Sequence, residues 1–532
     1  MSAVGPRCLS GQPAAPGVVH GRIVEIVNGA APHVPTGAAP MSLAAAMSEA
    51  AAQLENLAAS TSDANARTIL EFQIEFLRDP ELLEPVQDQL ATDVEPAHAW
   101  ITAIDVQIDD FESSADDYFR HRAADLRDLR ARVLAVLAGH ELGPLTLPDD
   151  AILLADDLAP SRFLATQWRP RQAIALRGGS PTAHVALLAR TSRVPMVVGV
   201  GPVSVPSGCT AILDGAAGTL QLAPDSTHVQ EYARRKTRLD EEGRLDTSAA
   251  ARPAITANGE RVQVLLNIST VAELDAIDPA ICDGIGLVRT ELLFAHGPPD
   301  EDAQFDAYWR IVRWAAGRTV VIRTLDAGGD KPIADVTIDG ETNPFLGVRG
   351  VRLSLAAPDV FKVQLRALLR AAVGGALKLM IPMVTTPDEV AQVRRMLLEA
   401  RLELLSRSIP FAMPQVGIMV EVPATALALD AFDIDFASIG SNDLLQYTMA
   451  AARDNQAVSA LTDPTHLGFV RLLQQIVDRA AARGISLSLC GDLAAQVQHV
   501  PLLLSAGLRS LSMPAASVGA IKRAIATWPS AE

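Results

Sequence analysis

From residue 253 onward the sequence alternates short apolar runs with longer stretches of helical period. The runs are "VQVLLNI", "GIGLVRT", "TVVIRTLD", "LKLMIPMV", "QVGIMVE", "DFASIGSND", "ISLSLCGD" and "SLSMP". About eight βα units across residues 253–532 have the length and rhythm of a (β/α)8 TIM-type barrel, while a doubly wound open sheet shares the same local texture. Either architecture places its chemistry at the carboxyl ends of the strands.

The first half of the chain reads differently. A β-like segment at 17–27 is followed by a Pro- and Ala-rich link and roughly a hundred residues of helical period, in which Ile69, Phe72, Phe76 and Leu77 recur on one face. About four helices are expected there, ending near His140. From Asp149 the short β-rich runs "AILLADDLAP", "QAIALRGG", "PMVVGV" and "TAILDG", broken by Gly and Pro, describe a small α/β domain. The helical unit therefore reads as an insertion after that domain's first strand. The expected division is 1–37 with 147–225 for the α/β domain, 38–146 for the helical subdomain, 226–252 for a charged helical connector and 253–532 for the barrel. A length of 532 residues is compatible with about three such units.

A net charge of −17 argues against nucleic acid or an anionic membrane as partner and favours a basic protein. The N-terminal residues lack a signal-like apolar run, and no segment approaches the roughly 20 apolar residues of a membrane span, so a cytoplasmic location is expected. Cys8, Cys209, Cys282 and Cys490 form no CxxC pair, which removes a disulfide framework and a zinc site from consideration.

Polar groups follow the apolar strand runs in order: Arg289, Arg323, Glu421, Asn442 with Asp443, Arg453 and Cys490. Arginine forks match phosphate or carboxylate, so several around one point imply a small, multiply anionic ligand. Glu421 and Asp443 could hold Mg²⁺, which takes one or two protein carboxylates and fills its shell with water and substrate oxygens. That set suits phosphoryl transfer, which is mostly positioning and charge neutralisation. Any one of these arginines or carboxylates alone reads more readily as a surface salt-bridge partner, and it is the seven groups together at strand ends that argue for a site. Cys490 alone reads as a small buried hydrophobe, and its place at a strand end is what admits a proton-donor role.

Earlier in the chain, "GGSPTAHVALLAR" sets His184 behind two glycines and before an apolar helix-like run. A helix beginning near Thr182 would aim free N–H groups at a phosphate carried there. A satisfied structural histidine would have the same local sequence.

Over nearly its whole length the chain resembles the phosphoenolpyruvate-protein phosphotransferases, Enzyme I of the bacterial sugar phosphotransferase system. The stretches carrying the resemblance are "GIGLVRTELLF", "IRTLDAGGDKP", "NPFLGVRGVR", "GIMVEVPA", "IGSNDLLQYTMA" and "LCGDLA", with "PAAPGVVHG", "IEFLRDPEL", "RAADLRDL" and "ADDLAPS" upstream. It implies a swivelling phosphohistidine α/β domain, an inserted helical subdomain that binds the carrier protein HPr, and a phosphoenolpyruvate-binding barrel. By the same resemblance His184 carries the phosphoryl group. Arg289, Arg323, Arg453 and Asn442 hold phosphoenolpyruvate, with Arg349 and Lys331 as further contacts. Glu421 and Asp443 bind Mg²⁺, and Cys490 protonates the enolate to pyruvate. The middle two upstream stretches lie where members dock their acceptor, and Asp109, Asp110, Glu112, Asp116 and Asp117 could steer its basic face. A solvated helical face accounts for those charges equally well. A hinge motion between barrel and acceptor and a homodimer formed through the barrel are also implied.

The chain departs from the family pattern in three places. "GGSPTAHV" has lost part of the hydroxyl set flanking the histidine. Arg162 and Phe163 follow Ser161 where a histidine-partnering threonine is common, leaving Thr166 as a possible substitute. The sequence also stops soon after "SMPAASVGAIKRAIATWPSAE", which bears on the dimer. A pyruvate,phosphate dikinase or phosphoenolpyruvate synthase would need a nucleotide-binding domain ahead of the histidine domain, and no Gly-rich phosphate loop precedes it here. A non-catalytic regulator would have no need of Arg289, Glu421, Asp443 and Cys490 together.

Overall fold

The computed structural model describes residues 6–26, 41–61, 64–79, 94–113, 117–140, 142–181, 183–206, 208–294, 297–328, 333, 336–337, 341–452 and 455–529. The chain divides into two compact units, Met1–Asp240 and Glu241–Glu532.

In the first unit, strands β1 (Arg7–Ser10), β2 (Gln12–Ala15) and β3 (Val18–Ile26) precede four helices, α1 (Leu43–Ser60), α2 (Ala64–Arg78), α3 (Pro96–Ser113) and α4 (Asp117–Leu137). The chain then returns as β4 (Ala151–Ala155), α5 (Pro160–Ala165), β5 (Ala173–Leu176), α6 (His184–Thr191), β6 (Met196–Val198), β7 (Thr210–Asp214) and β8 (Thr219–Leu222). These strands form one sheet in the order β1-β8-β7-β3-β4-β5-β6-β2. At its centre β3, β4, β5 and β6 run parallel. Every residue of β4 and β5 is buried, as continuous apolar runs such as "AILLA" require of strands covered on both faces.

The helical insertion therefore follows the third strand, not the first. β1 ("RCLS") and β2 ("QPAA") are four-residue edge strands with half or more of their side chains exposed, so they carry no apolar signature to read. The helices enclose a core of their own around Leu54, Trp100, Ile104, Leu126 and Leu129. Helix α7 (Ser226–Ala250) has no buried residue and spans the division between the units.

The second unit is a closed barrel of eight parallel strands, which excludes the open doubly wound sheet. Its elements are β9 (Gln263–Ile268), β10 (Gly284–Val288), α8 (Glu301–Trp314), β11 (Thr319–Arg323), α9 (Val351–Ala356), α10 (Pro358–Ala371), β12 (Leu377–Ile381) and α11 (Pro387–Ser406). They continue as β13 (Gln415–Val420), α12 (Pro423–Leu427), β14 (Phe436–Gly440), α13 (Ser441–Met449), α14 (Leu467–Arg483), β15 (Ser486–Cys490), α15 (Val500–Ser505), β16 (Ser510–Met513) and α16 (Val518–Thr527). Closure comes from β16 pairing in parallel with β9, Leu511 opposite Val264. The first crossover departs from the βα rhythm. Two 3₁₀ turns, Val271–Ala276 and Pro279–Ile281, replace an α-helix there, and Pro279 bars a continuous helix through so short a link.

Inside the barrel Leu287, Val321, Met380, Met419, Phe436 and Cys490 pack as one layer. This filled interior closes the barrel below its carboxyl-end mouth, so polar side chains from the strand ends gather above an apolar floor. Among the described residues no helix is long and apolar enough to cross a membrane.

Candidate active site

The strand ends converge as their positions demand. Arg323 and Cys490 are the last residues of β11 and β15, Arg289 and Glu421 each follow a strand by one residue, and Asn442 and Asp443 open α13 directly after β14. All six line one cavity of about 220 Å³ at the barrel mouth. Arg349 does not line it, being 1% exposed and bonded within the wall. Lys331 and Arg453 lie outside the described residues.

Charge pairing organises the wall. Arg323 pairs with Glu291 and, at 2.8 Å, with Asp326 Oδ2. Asp326 also accepts from Arg349 Nη2 at 3.1 Å, and the same Nη2 lies 3.4 Å from Asp443 Oδ2. Arg323, Arg349 and Asp326 are each at most 5% exposed, so each charge is compensated in place and the guanidinium planes are fixed. Asp326 and Glu291 are functional-wall residues that strand-end reading passed over. Asp326 stands three residues beyond Arg323 in "RTLDAGGD", inside a stretch already singled out.

Glu421 is almost fully buried. The backbone N–H of Met383, a residue held at φ 56°, donates to its Oε1 at 2.6 Å. A side chain at Gly440 would come within 2.8 Å of its Oε2, so this position has to be glycine for the carboxylate to keep its place. Burial first, then the neighbouring Asp326 and Asp443 charges, push the Glu421 carboxyl up to about 8. Among the described residues no cluster of three or more His, Cys, Asp or Glu is arranged for a metal. A cation here would be held by the two carboxylates Glu421 and Asp443, a donor set suited to a hard dication that keeps water and substrate oxygens in its shell. The surplus negative charge felt by Glu421 is what such an ion would relieve.

A stability consequence follows with a definite sign. A carboxyl raised in the folded state from 4.5 to about 8 contributes stability that is complete below the unfolded value and is lost as pH rises through about 8. Metal-free protein is expected to melt at lower temperature at pH 9 than at pH 6, by on the order of a few kcal/mol in stability, and Glu421→Gln to flatten that dependence. Differential scanning calorimetry in chelator across this range checks it.

The amide of Asn442 is pinned at the cavity edge by Asp492, donating from Nδ2 to Oδ2 at 3.2 Å and accepting the Asp492 N–H at 3.0 Å. Gly491, at φ 99°, permits the turn, and a Cβ there would lie 2.4 Å from Ser441 Oγ. The Cys490 thiol donates to Ile439 O at 3.5 Å. Burial pushes it up, against the opposing pull of Ser438 and of Arg323. It is thus both a packed apolar residue and a protonated thiol at the cavity wall.

His184 belongs to the first unit and is the first residue of α6, with Ala183 as the cap. Thr182, the expected helix start, lies outside the described residues. The ring Nδ1 is 3.1 Å from Asp125 Oδ1 on α4, whose other oxygen accepts from Arg122 Nη1 at 3.1 Å. Thr166 does not partner His184: its hydroxyl donates to Arg162 O at 2.7 Å and accepts from Leu145 N at 3.0 Å. Ser161 is likewise committed, donating to Asp128 Oδ1 at 2.8 Å. Of the polar residues of "RAADLRDL", Arg122, Asp125 and Asp128 are buried within the unit and Arg127 is exposed. The acids Asp109, Asp110 and Glu112 on α3 are exposed, Glu112 pairing with Arg127. Asp116 and the side chain of Asp117 lie outside the described residues.

The chain is similar to known families along most of its length. Residues 244–529 match the PEP-utilising enzyme PEP-binding domain, 10–122 the N-terminal domain of those enzymes, and 147–218 their mobile domain. A phosphoenolpyruvate-protein phosphotransferase of Staphylococcus carnosus (strain TM300) is 36% identical over 482 residues, 89% of this chain and 84% of the relative. One from Geobacillus stearothermophilus is 38% identical over 451 residues, covering 83% of this chain and 78% of the relative. With identity of this order sustained across both units, the chain belongs to the phosphoenolpyruvate-protein phosphotransferase family, a family of transferase enzymes.

Proposed function

We propose that this enzyme transfers the phosphoryl group of phosphoenolpyruvate to its own His184, releasing pyruvate, and then to a histidine of an HPr-like carrier protein, the first step of a phosphotransferase system. The observation that carries this reading is the convergence of Arg289, Arg323, Glu421, Asn442, Asp443 and Cys490 on one small cavity at the barrel mouth. Arg289 and Arg323 offer planar donor forks to the carboxylate and phosphate of the substrate, and Asn442 a neutral donor. Arg349 serves by fixing Asp326 and Asp443, and Lys331 and Arg453 complete the anion-binding set. A Mg²⁺ ion held by Glu421 and Asp443 would supply charge neutralisation for the transferring group.

In the transfer, a ring nitrogen of His184 forms the new P–N bond as the P–O bond to the enol oxygen breaks, and the electron pair leaves with the enolate. Cys490, kept as a thiol by burial, gives its proton to the enolate carbon and regains one from water. His184 and the cavity belong to different units, so the cycle requires the histidine domain to travel between the barrel and the carrier. The exposed acids Asp109, Asp110 and Glu112 would steer a basic carrier face. A homodimer formed through the barrel completes the reading.

Rapid mixing with phosphoenolpyruvate and Mg²⁺, without carrier, tests it. One pyruvate per chain is expected in a single burst, and none from His184→Ala. A full burst from that variant would exclude His184 as the acceptor.

A further inference from the structure

The helical subdomain contributes more to His184 than a surface for a partner. We infer that Asp125 on α4 is the positioning residue of the phosphoryl acceptor: it accepts the Nδ1–H of His184, holding the ring so that the Nε2 lone pair is the nucleophile. This deepens the proposed function and rests on His184 being the acceptor.

The geometry that supports it is local and complete. His184 Nδ1 lies 3.1 Å from Asp125 Oδ1, with the Asp125 side chain fully buried and the His184 side chain 20% exposed. A carboxylate can only accept, so the hydrogen in this contact belongs to the imidazole and the neutral ring is the Nδ1–H tautomer. Nε2 then keeps its lone pair, the state an attack on phosphorus requires.

Asp125 is itself held rigidly. Arg122 Nη1 binds Oδ2 at 3.1 Å, and its guanidinium stacks 4.5 Å from the centre of the Phe72 ring. Gln73 Nε2 donates to the Asp125 backbone oxygen at 2.9 Å and to Asp128 Oδ2 at 3.2 Å. Asp128 in turn accepts both the N–H and the hydroxyl of Ser161 at the start of α5. One turn of α4 is thus tied both to α5 and to the histidine, and a support chain of this kind is what fixes a catalytic ring within a fraction of an ångström.

During transfer the Nδ1 proton stays in the contact with Asp125. The P–N bond forms at Nε2 and the carboxylate stabilises the positive charge that develops on the ring. A consequence is that the subdomain expected to receive the carrier also sets the tautomer of the group being transferred. Displacing α4 relative to α6 breaks the 3.1 Å contact.

Asp125→Asn keeps the side-chain volume but can donate to Nδ1 and so favour the opposite tautomer. With the full-length enzyme, phosphoenolpyruvate and Mg²⁺, the rate of His184 phosphorylation is expected to fall by about 10²- to 10⁴-fold with KM for phosphoenolpyruvate unchanged. Asp125→Glu should recover part of the rate. Histidine ¹⁵N shifts of unphosphorylated wild-type enzyme are expected to report Nδ1–H at His184, a readout that does not depend on any variant folding. A wild-type Nε2–H tautomer, or Asp125→Asn phosphorylated at the wild-type rate, would overturn the inference. Failure of the wild-type enzyme to be phosphorylated at all would instead remove the reading on which it rests.

Discussion

Arg323→Met is expected to destabilise the barrel by about 3–5 kcal/mol, although it swaps one long side chain for another. The guanidinium is 5% exposed and pairs with Glu291 and Asp326, themselves nearly buried. Removing it takes that counter-charge from both Glu291 and Asp326. A buried carboxylate stripped of its partner costs far more than the pair contributed. An exposed pair supplies the contrast: Arg310 and Asp275 are bonded at 2.6 Å, but both are more than half exposed, and Arg310→Met should cost no more than about 1 kcal/mol. Calorimetry of both variants against wild type decides it. Equal small shifts would mean that the barrel-mouth network adds nothing to the fold and serves the ligand alone.

Cys490→Ala is expected to slow pyruvate release by about 10²- to 10⁴-fold while leaving the barrel folded. The thiol is 2% exposed in the same layer as Leu287 and Met419, and alanine removes a single heavy atom from that packing. What disappears is a proton held beside the cavity by a group that burial keeps un-ionised. Without it the enolate waits for water or returns the phosphoryl group, so pyruvate should fall off more steeply than phosphoenolpyruvate binding. Binding measured by titration calorimetry and pyruvate measured by burst kinetics separate the two effects. Unchanged pyruvate release would return Cys490 to the role of a small packed hydrophobe.

The barrel was legible because its signal is dense: each strand run in the sequence is a strand of the closed sheet, and polar residues at the ends of β10, β11, β13, β14 and β15 line the mouth. β1 and β2 were not, since four-residue edge strands with exposed side chains leave no run to detect, nor was β8, an internal strand of only four residues, "TLQL". In the first crossover Pro279 and short length give two 3₁₀ turns in place of the helix that the general βα rhythm carries elsewhere. At the site, strand-end logic found the residues that line the cavity. It passed over those that hold them, Glu291 and Asp326, because a supporting carboxylate has no position that periodicity can mark. Asp125 was hidden more deeply. It precedes His184 by 59 residues and sits on a helix of another subdomain, so only folding brings it to the ring. Thr166, chosen by nearness in sequence to a missing threonine, is occupied by the backbone of its own helix.

The central claim is that one imidazole in the first unit takes the phosphoryl group that the barrel mouth activates. Peptide-level mass spectrometry after brief incubation of the full-length enzyme with phosphoenolpyruvate and Mg²⁺, at alkaline pH to preserve phosphohistidine, tests it most directly. A single phosphate on the peptide containing His184, absent when Arg289 or Arg323 is replaced, is the predicted result. Phosphate on any other residue, or on His184 regardless of those arginines, would contradict it.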